Sequence, residues 1–130
     1  MSDPEQIAVP VVTIDGPGGA GKGTVASAIA ETKGWHLLDS VALYRIIAVA
    51  GLRQGIPLDD AVALAQLCPR LDIVFGAGSV KVSGDDFTDA IRTEDAGSSA
   101  SIVAALPPVR DAILTLQREF RKAPGLVADG

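Results

Sequence analysis

The chain is poor in the residues that build disulfide frameworks, metal clusters and nucleic-acid surfaces. It has one cysteine, Cys68, and one histidine, His36. A single cysteine excludes an internal disulfide and supplies no thiolate set for a structural metal. Cys68 is expected to fill a small apolar site near the end of a helix. Aromatic residues make up only 4% of the chain, and Trp35 and His36 read as core or rim residues of a strand. Cations are outnumbered, with 11 Lys and Arg against 16 Asp and Glu and a net charge of −5. That balance argues against a nucleic-acid-binding face. No apolar run is long enough to cross a bilayer and no charged-then-apolar leader opens the chain, so the expectation is a cytoplasmic protein without a membrane partner. Internal repeats and low-complexity segments are absent too.

What remains is the composition of one folded domain: 130 residues, 48% hydrophobic and 21% charged. Its most informative stretch is Gly16-Pro17-Gly18-Gly19-Ala20-Gly21-Lys22-Gly23-Thr24. An apolar run, residues 9–15, precedes it and a helix-compatible stretch, residues 22–32, follows. Strand, glycine loop and helix form the context of a phosphate-binding loop. Glycines let the backbone curl so that several N–H groups point inward, and the helix N-terminus behind them adds partial positive charge. Lys22 is then placed to reach the outer phosphates of a nucleotide. A plain strand-to-helix turn needs only one or two glycines, and ordering more of them is costly. Gly23 stands where a hydroxyl residue usually follows the lysine, with Thr24 one place later. The expected magnesium is therefore held mainly by water and substrate phosphates. A protein acidic overall that binds polyphosphate must concentrate its cations, and Lys22, Arg45 and Arg110 are the candidates.

Periodicity predicts a βα pattern with an inserted patch. Residues 1–6 are polar and expected to be loose. Residues 9–15 read as a strand buried on both faces of a parallel sheet. Residues 22–32 read as a helix with Val25 and Ile29 on its core face and Gly34 as its C-cap. A second strand spans 35–39. Ser40 can cap a helix over 41–53 whose core face is Leu43, Ile46, Ile47 and Ala50. Gly55-Ile56-Pro57 breaks that helix, and 59–67 forms a short one. Residues 71–75 and 80–82 flank Gly76-Ala77-Gly78-Ser79 as a hairpin, with 86–91 as a third strand. Helices follow over 94–105 and 108–122, the second striped by Val109, Ile113, Leu116 and Phe120. Leu126–Asp129 closes the chain as a third apolar strand of the parallel sheet.

Gly-Lys-Gly-Thr after such a loop resembles the nucleoside monophosphate kinases. The segments Val12-Thr13-Ile14-Asp15-Gly16-Pro17, Trp35-His36-Leu37-Leu38-Asp39-Ser40, Leu43-Tyr44-Arg45, Ile91-Arg92-Thr93, Pro107-Pro108-Val109-Arg110 and Gly125-Leu126-Val127-Ala128-Asp129-Gly130 sharpen this. In that order and spacing they resemble the N-terminal part of bacterial cytidylate kinase. The resemblance implies an α/β P-loop kinase core of three layers around a parallel sheet, incomplete here. Residues 1–40 and 123–130 would belong to the core. Residues 41–122 would form the monophosphate-binding region, with a hairpin insert at about 70–92. It implies ATP and Mg2+ as cofactors, and phosphorylation of CMP or dCMP in pyrimidine nucleotide metabolism. Ser40, Arg45 and Arg110 would hold the acceptor phosphate, Ser101 the sugar, and Asp129 would stand near the metal through water.

Each of these residues also has a plainer reading. Ser40 can be a helix cap, Arg45 and Arg110 solvated arginines, and Asp129 a turn-forming Asp-Gly. Val41 replaces the glycine usual in the family after Asp-Ser, which puts close approach of the acceptor in doubt. Relative to the family, the Arg-Asp pair, the arginine-bearing lid and the last core strands lie outside these residues. The 130-residue polypeptide is therefore expected to be a weak kinase at best. The complete enzyme is expected to be monomeric, whereas this chain has an open sheet edge suited to self-association. Two other readings stay open: a P-loop kinase for AMP, dTMP or a small metabolite, and a non-catalytic nucleotide-binding remnant.

Overall fold

Apolar β-branched residues and a preceding proline start the architecture at its sheet edge. The computed structural model describes residues 9–14 and 22–129. Strand β1, Val11–Ile14, pairs in parallel with β6, Leu126–Asp129, which pairs in parallel with β2, His36–Asp39, giving the order β1-β6-β2. The central strand is thus the last in sequence, and its Leu126 and Val127 are buried. β1 is shorter than the expected 9–15 and is not covered on both faces. It alternates exposed and half-buried residues, with Val11 40% exposed, because it occupies an edge of the described sheet. The expected loose segment 1–6 and residues Asp15 and Gly16 to Gly21 lie outside the described residues.

Helix α1, Lys22–Lys33, lies on this sheet. Its buried face is Ala26 and Ala30 against Val127, with Ile29 at the margin. Val25, expected on the core face, is 50% exposed. The i, i+4 alanine pair explains the rotation: two methyl-sized residues let the helix axis approach the sheet more closely than a valine would. Gly34 ends the helix at φ +67°, as its position predicted.

Helix α2, Ser40–Arg53, buries Leu43, Ile46, Ile47 and Ala50, the face read from sequence. Its cap differs from expectation. Asp39, in extended conformation, accepts the Ala42 N–H on Oδ1 at 3.1 Å, and Ser40 is the first helical residue. An ionised carboxylate is a strong acceptor for an orphan N–H at the positive helix end, so the aspartate takes the role. Helix α3, Ala61–Leu67, starts two residues later than expected because Asp60 caps it, accepting Ala63 N–H at 3.1 Å. Cys68 follows in a 3-10 turn, Cys68–Arg70, and is buried as expected, its thiol donating to the Leu64 carbonyl at 3.4 Å. Burial pushes that thiol up to about 11.

Strands β3, Ile73–Gly76, and β4, Ser79–Val82, form the expected hairpin, with Gly76 paired to Ser79 across the turn. The third strand is only β5, Asp85–Asp86. Asp86 turns the chain by accepting Thr88 N–H at 2.9 Å, Phe87 drops into the core, and Ala90–Arg92 coils into a 3-10 turn. Helix α4, Glu94–Ala104, is capped by Thr93. Helix α5, Pro107–Glu119, ends three residues short of Lys122, where the chain turns toward Pro124. Val109, Ile113 and Leu116 of α5 join Leu43, Ile46, Leu64 and Val103 in the main core. No single described helix is long and apolar enough to cross a membrane.

Candidate functional site

Parallel strands place their carboxyl ends on one edge, where open α/β sheets bind ligands. Here that edge carries Ile14, Asp129 and Asp39 side by side in register on β1, β6 and β2. Asp129 is 9% exposed, and a Cβ at Gly23 would lie 3.4 Å from its Oδ2. The first turn of α1 is thereby pressed against the carboxylate of the central strand. Beyond this edge opens a cavity of about 800 Å3. Its sheet side is Gly23, Thr24, Asp39 and Asp129, and its far side is the β3–β4 turn with Ile91 and Arg92. Arg45 lines it as well.

Arg45 sits in the second turn of α2, half-buried. Its Nη1 donates to the carbonyls of Ile91 at 2.8 Å and Thr93 at 3.4 Å. Gly97 makes room for it, since a Cβ there would lie 2.9 Å from Nη2. A guanidinium braced by neutral carbonyls keeps its charge for an anion, and its fork suits two phosphate oxygens at once. Val41 also lines the cavity and is 62% exposed. Its backbone is ordinary right-handed helix, so position 41 needs no glycine for conformation. The constraint it adds is the apolar bulk of its side chain.

The structure therefore lines one cavity with Gly23 and Thr24 of α1, Arg45 of α2 and Asp129 of β6, three separate elements. Lys22 is the first residue of α1. Gly16, Pro17, Gly18, Gly19, Ala20 and Gly21 lie outside the described residues. Ser40 opens α2, half-buried, next to the cavity-lining Asp39. Ser101 and Arg110 do not line this cavity. Ser101 is exposed and donates to the Gly97 carbonyl at 3.2 Å. Arg110 is exposed in a separate depression of about 410 Å3 beside Tyr44. Arg92 is the residue that sequence reasoning passed over as a site: it lines the cavity and donates from Nη2 to the Gly78 carbonyl at 2.9 Å. Its signal was available in the Ile91-Arg92-Thr93 segment.

The first turn of α1, the carboxylate of the central strand and an arginine of α2 thus line one cavity, and sequence comparison gives the family. The family model described as cytidylate kinase matches residues 12–130. The chain belongs to the cytidylate kinase family. It is 52% identical over 126 residues to a cytidylate kinase of Edwardsiella ictaluri (strain 93-146), covering 94% of this chain and 56% of the relative. It is 54% identical over 129 residues to one of Pseudomonas paraeruginosa (strain DSM 24068 / PA7), covering 95% and 56%. A cytidylate kinase of Aeromonas hydrophila subsp. hydrophila is 54% identical over 125 residues, covering 93% and 54%. The chain thus spans about half the length of the curated relatives it matches. As a cytidylate kinase family member it has an α/β fold in which a parallel sheet of three strands carries part of a P-loop kinase core, joined to a smaller antiparallel sheet.

Proposed function

We propose that this chain forms the donor-loop side and part of the acceptor side of an enzyme that moves a phosphoryl group from ATP to CMP or dCMP. The supporting observation is one cavity lined by Gly23 and Thr24 at the start of α1, by Arg45 and by Asp129. In the proposed mechanism the loop from Gly16 to Gly21, with Lys22, Gly23 and Thr24, holds the donor's outer phosphates through backbone N–H groups and the lysine. Arg45 grips the acceptor phosphate and aligns it for in-line attack. Ser40, Ser101 and Arg110 are assigned acceptor contacts by resemblance, with residues 41–122 as the monophosphate-binding region. Such transfers depend on positioning and charge neutralisation rather than on a covalent nucleophile.

Magnesium fits this edge. Asp129 and Asp39 present adjacent oxygen ligands of the kind Mg2+ accepts directly or through water, with Asp129 nearest the start of α1. Held near Asp129, such an ion would supply charge neutralisation for the donor phosphates. Asp129 orients that region, while Asp39 holds α2 through its cap and so fixes the start of the helix that bears Arg45.

A polypeptide limited to residues 1–130 is expected to bind ATP and transfer slowly, because the resemblance places the arginines of the lid elsewhere. The test is ADP release by the full-length protein containing these residues, with CMP, dCMP, AMP and dTMP as acceptors. The proposal expects turnover with CMP and dCMP, abolished in Lys22→Ala. Preference for AMP or dTMP, or equal rates with and without any acceptor, would contradict it.

A further inference from the structure

The wall of the cavity opposite the sheet is a hairpin, and a single guanidinium fastens its tip. Arg92 donates from Nη2 to the carbonyl of Gly78, which occupies φ +69° in the β3–β4 turn. Among the described residues this is the one hydrogen bond that reaches the turn from outside the hairpin. The open end of the hairpin is secured by Ser83 N–H donating to Asp72 O at 2.7 Å, and β4 is held just past the turn at Val80, whose N–H donates to Thr88 Oγ1 at 3.1 Å. The segment that bears Arg92 also seats Arg45, through the carbonyls of Ile91 and Thr93. Residues 91–93 therefore register two parts of the cavity against each other, the arginine proposed for the acceptor phosphate and the turn that closes the far side.

We infer that Arg92 is a positioning residue for the acceptor nucleotide. Its tether holds the Ala77-Gly78 turn in place, so that a nucleotide whose phosphate is on Arg45 meets a preformed wall around its sugar and base. The physical basis is preorganisation. A two-residue glycine-containing turn released from Arg92 samples more conformations, and a ligand must then order it on binding. Arg92 acts through the hairpin rather than on the reacting atoms, so acceptor binding responds and the chemical step does not. Gly23 and Thr24 belong to α1, whereas the hydrogen bond of Arg92 goes to the β3–β4 turn, so donor binding is expected to stay unchanged. This inference rests on the proposal that the cavity receives the monophosphate.

The experiment compares the full-length protein with Arg92→Met, which keeps the apolar stem, and Arg92→Lys, which restores a donor. Two readouts are taken: hydrogen exchange of residues 73–82 without ligand, and steady-state kinetics with CMP. Loss of a charge-assisted hydrogen bond predicts hairpin exchange and CMP KM both rising about tenfold in Arg92→Met. kcat and ATP KM are expected to stay within about twofold, a shift small against that change. Arg92→Lys is expected to recover part of both. Unchanged hairpin exchange in Arg92→Met overturns the tether whatever the kinetics. Raised exchange with unchanged CMP KM overturns the positioning role. If the unaltered protein uses AMP or dTMP and not CMP, the proposed function fails, and the same comparison on the true acceptor still decides the role of Arg92.

Discussion

Arg45 is braced by the carbonyls of Ile91 and Thr93, and among the described residues it forms no ion pair. Its charge is therefore available to a ligand. Lysine cannot reproduce the fork that binds carbonyls and phosphate together. Arg45→Lys is expected to lower CMP affinity about tenfold with the melting temperature unchanged, a loss on the scale of one charge-assisted hydrogen bond. Gly125 shows the opposite dependence, on space alone. A methyl group there would overlap the rigid Trp35 indole. Gly125→Ala is expected to destabilise by about 1–3 kcal/mol, measured by chemical denaturation, as overpacking does. The thiol of Cys68 gives a pH prediction. Because its pKa is raised to about 11, the folded state prefers the protonated form. Its contribution to stability is complete below the ordinary thiol range, near about 8.5, and is lost as pH rises toward the folded value. Native protein at pH 8 is expected to resist a thiol-specific reagent that modifies Cys68 readily in urea; equal rates in both states would contradict the burial.

Helices and strands were legible wherever local chemistry and periodicity agree. The face of α2, the stripe of α5, the hairpin over Gly76-Ala77-Gly78-Ser79 and the final strand could all be read directly. The failures have separate physical causes. The face of α1 was misread because valine looks like core, while close helix-on-sheet packing selected Ala26 and Ala30. The cap of α2 was misassigned because Asp39 and Ser40 both suit the position, and only the chain's entry angle decides between them. The third hairpin strand was overextended because the Asp86 side chain competes for backbone N–H groups. Arg92 was missed as a site because the Ile91-Arg92-Thr93 segment marks the resemblance but not the tether to Gly78, a carbonyl distant in sequence. At this scale the caps give a direct test. Asp60→Ala removes the side-chain acceptor from the N-terminus of α3, seven residues long. The variant is expected to lose about 1 kcal/mol of stability. No change in the denaturation midpoint would show that packing alone holds α3.

Across the molecule, two assemblies meet at the cavity. The parallel sheet with α1 supplies the carboxylates and the glycine-containing first turn of α1, and the larger core around α2, α3, α4 and α5 carries Arg45 and the hairpin wall. The sheet order leaves β1 at an edge with Val11 exposed. Unpaired strand edges favour pairing with other chains. A polypeptide of these 130 residues is expected to self-associate, and Val11→Lys to reduce that association in light scattering after size separation. A monodisperse monomer would contradict this.

The most direct measurement of the central claim is a calorimetric titration of CMP into the full-length protein containing these residues and into its Arg45→Ala variant, followed by titration of ATP into both. If the cavity at Arg45 is the acceptor site, CMP binding is lost or weakened at least tenfold in Arg45→Ala, a change of about 1.4 kcal/mol or more, while ATP binding is retained. Equal CMP affinity in the two proteins would place the acceptor elsewhere and contradict the account.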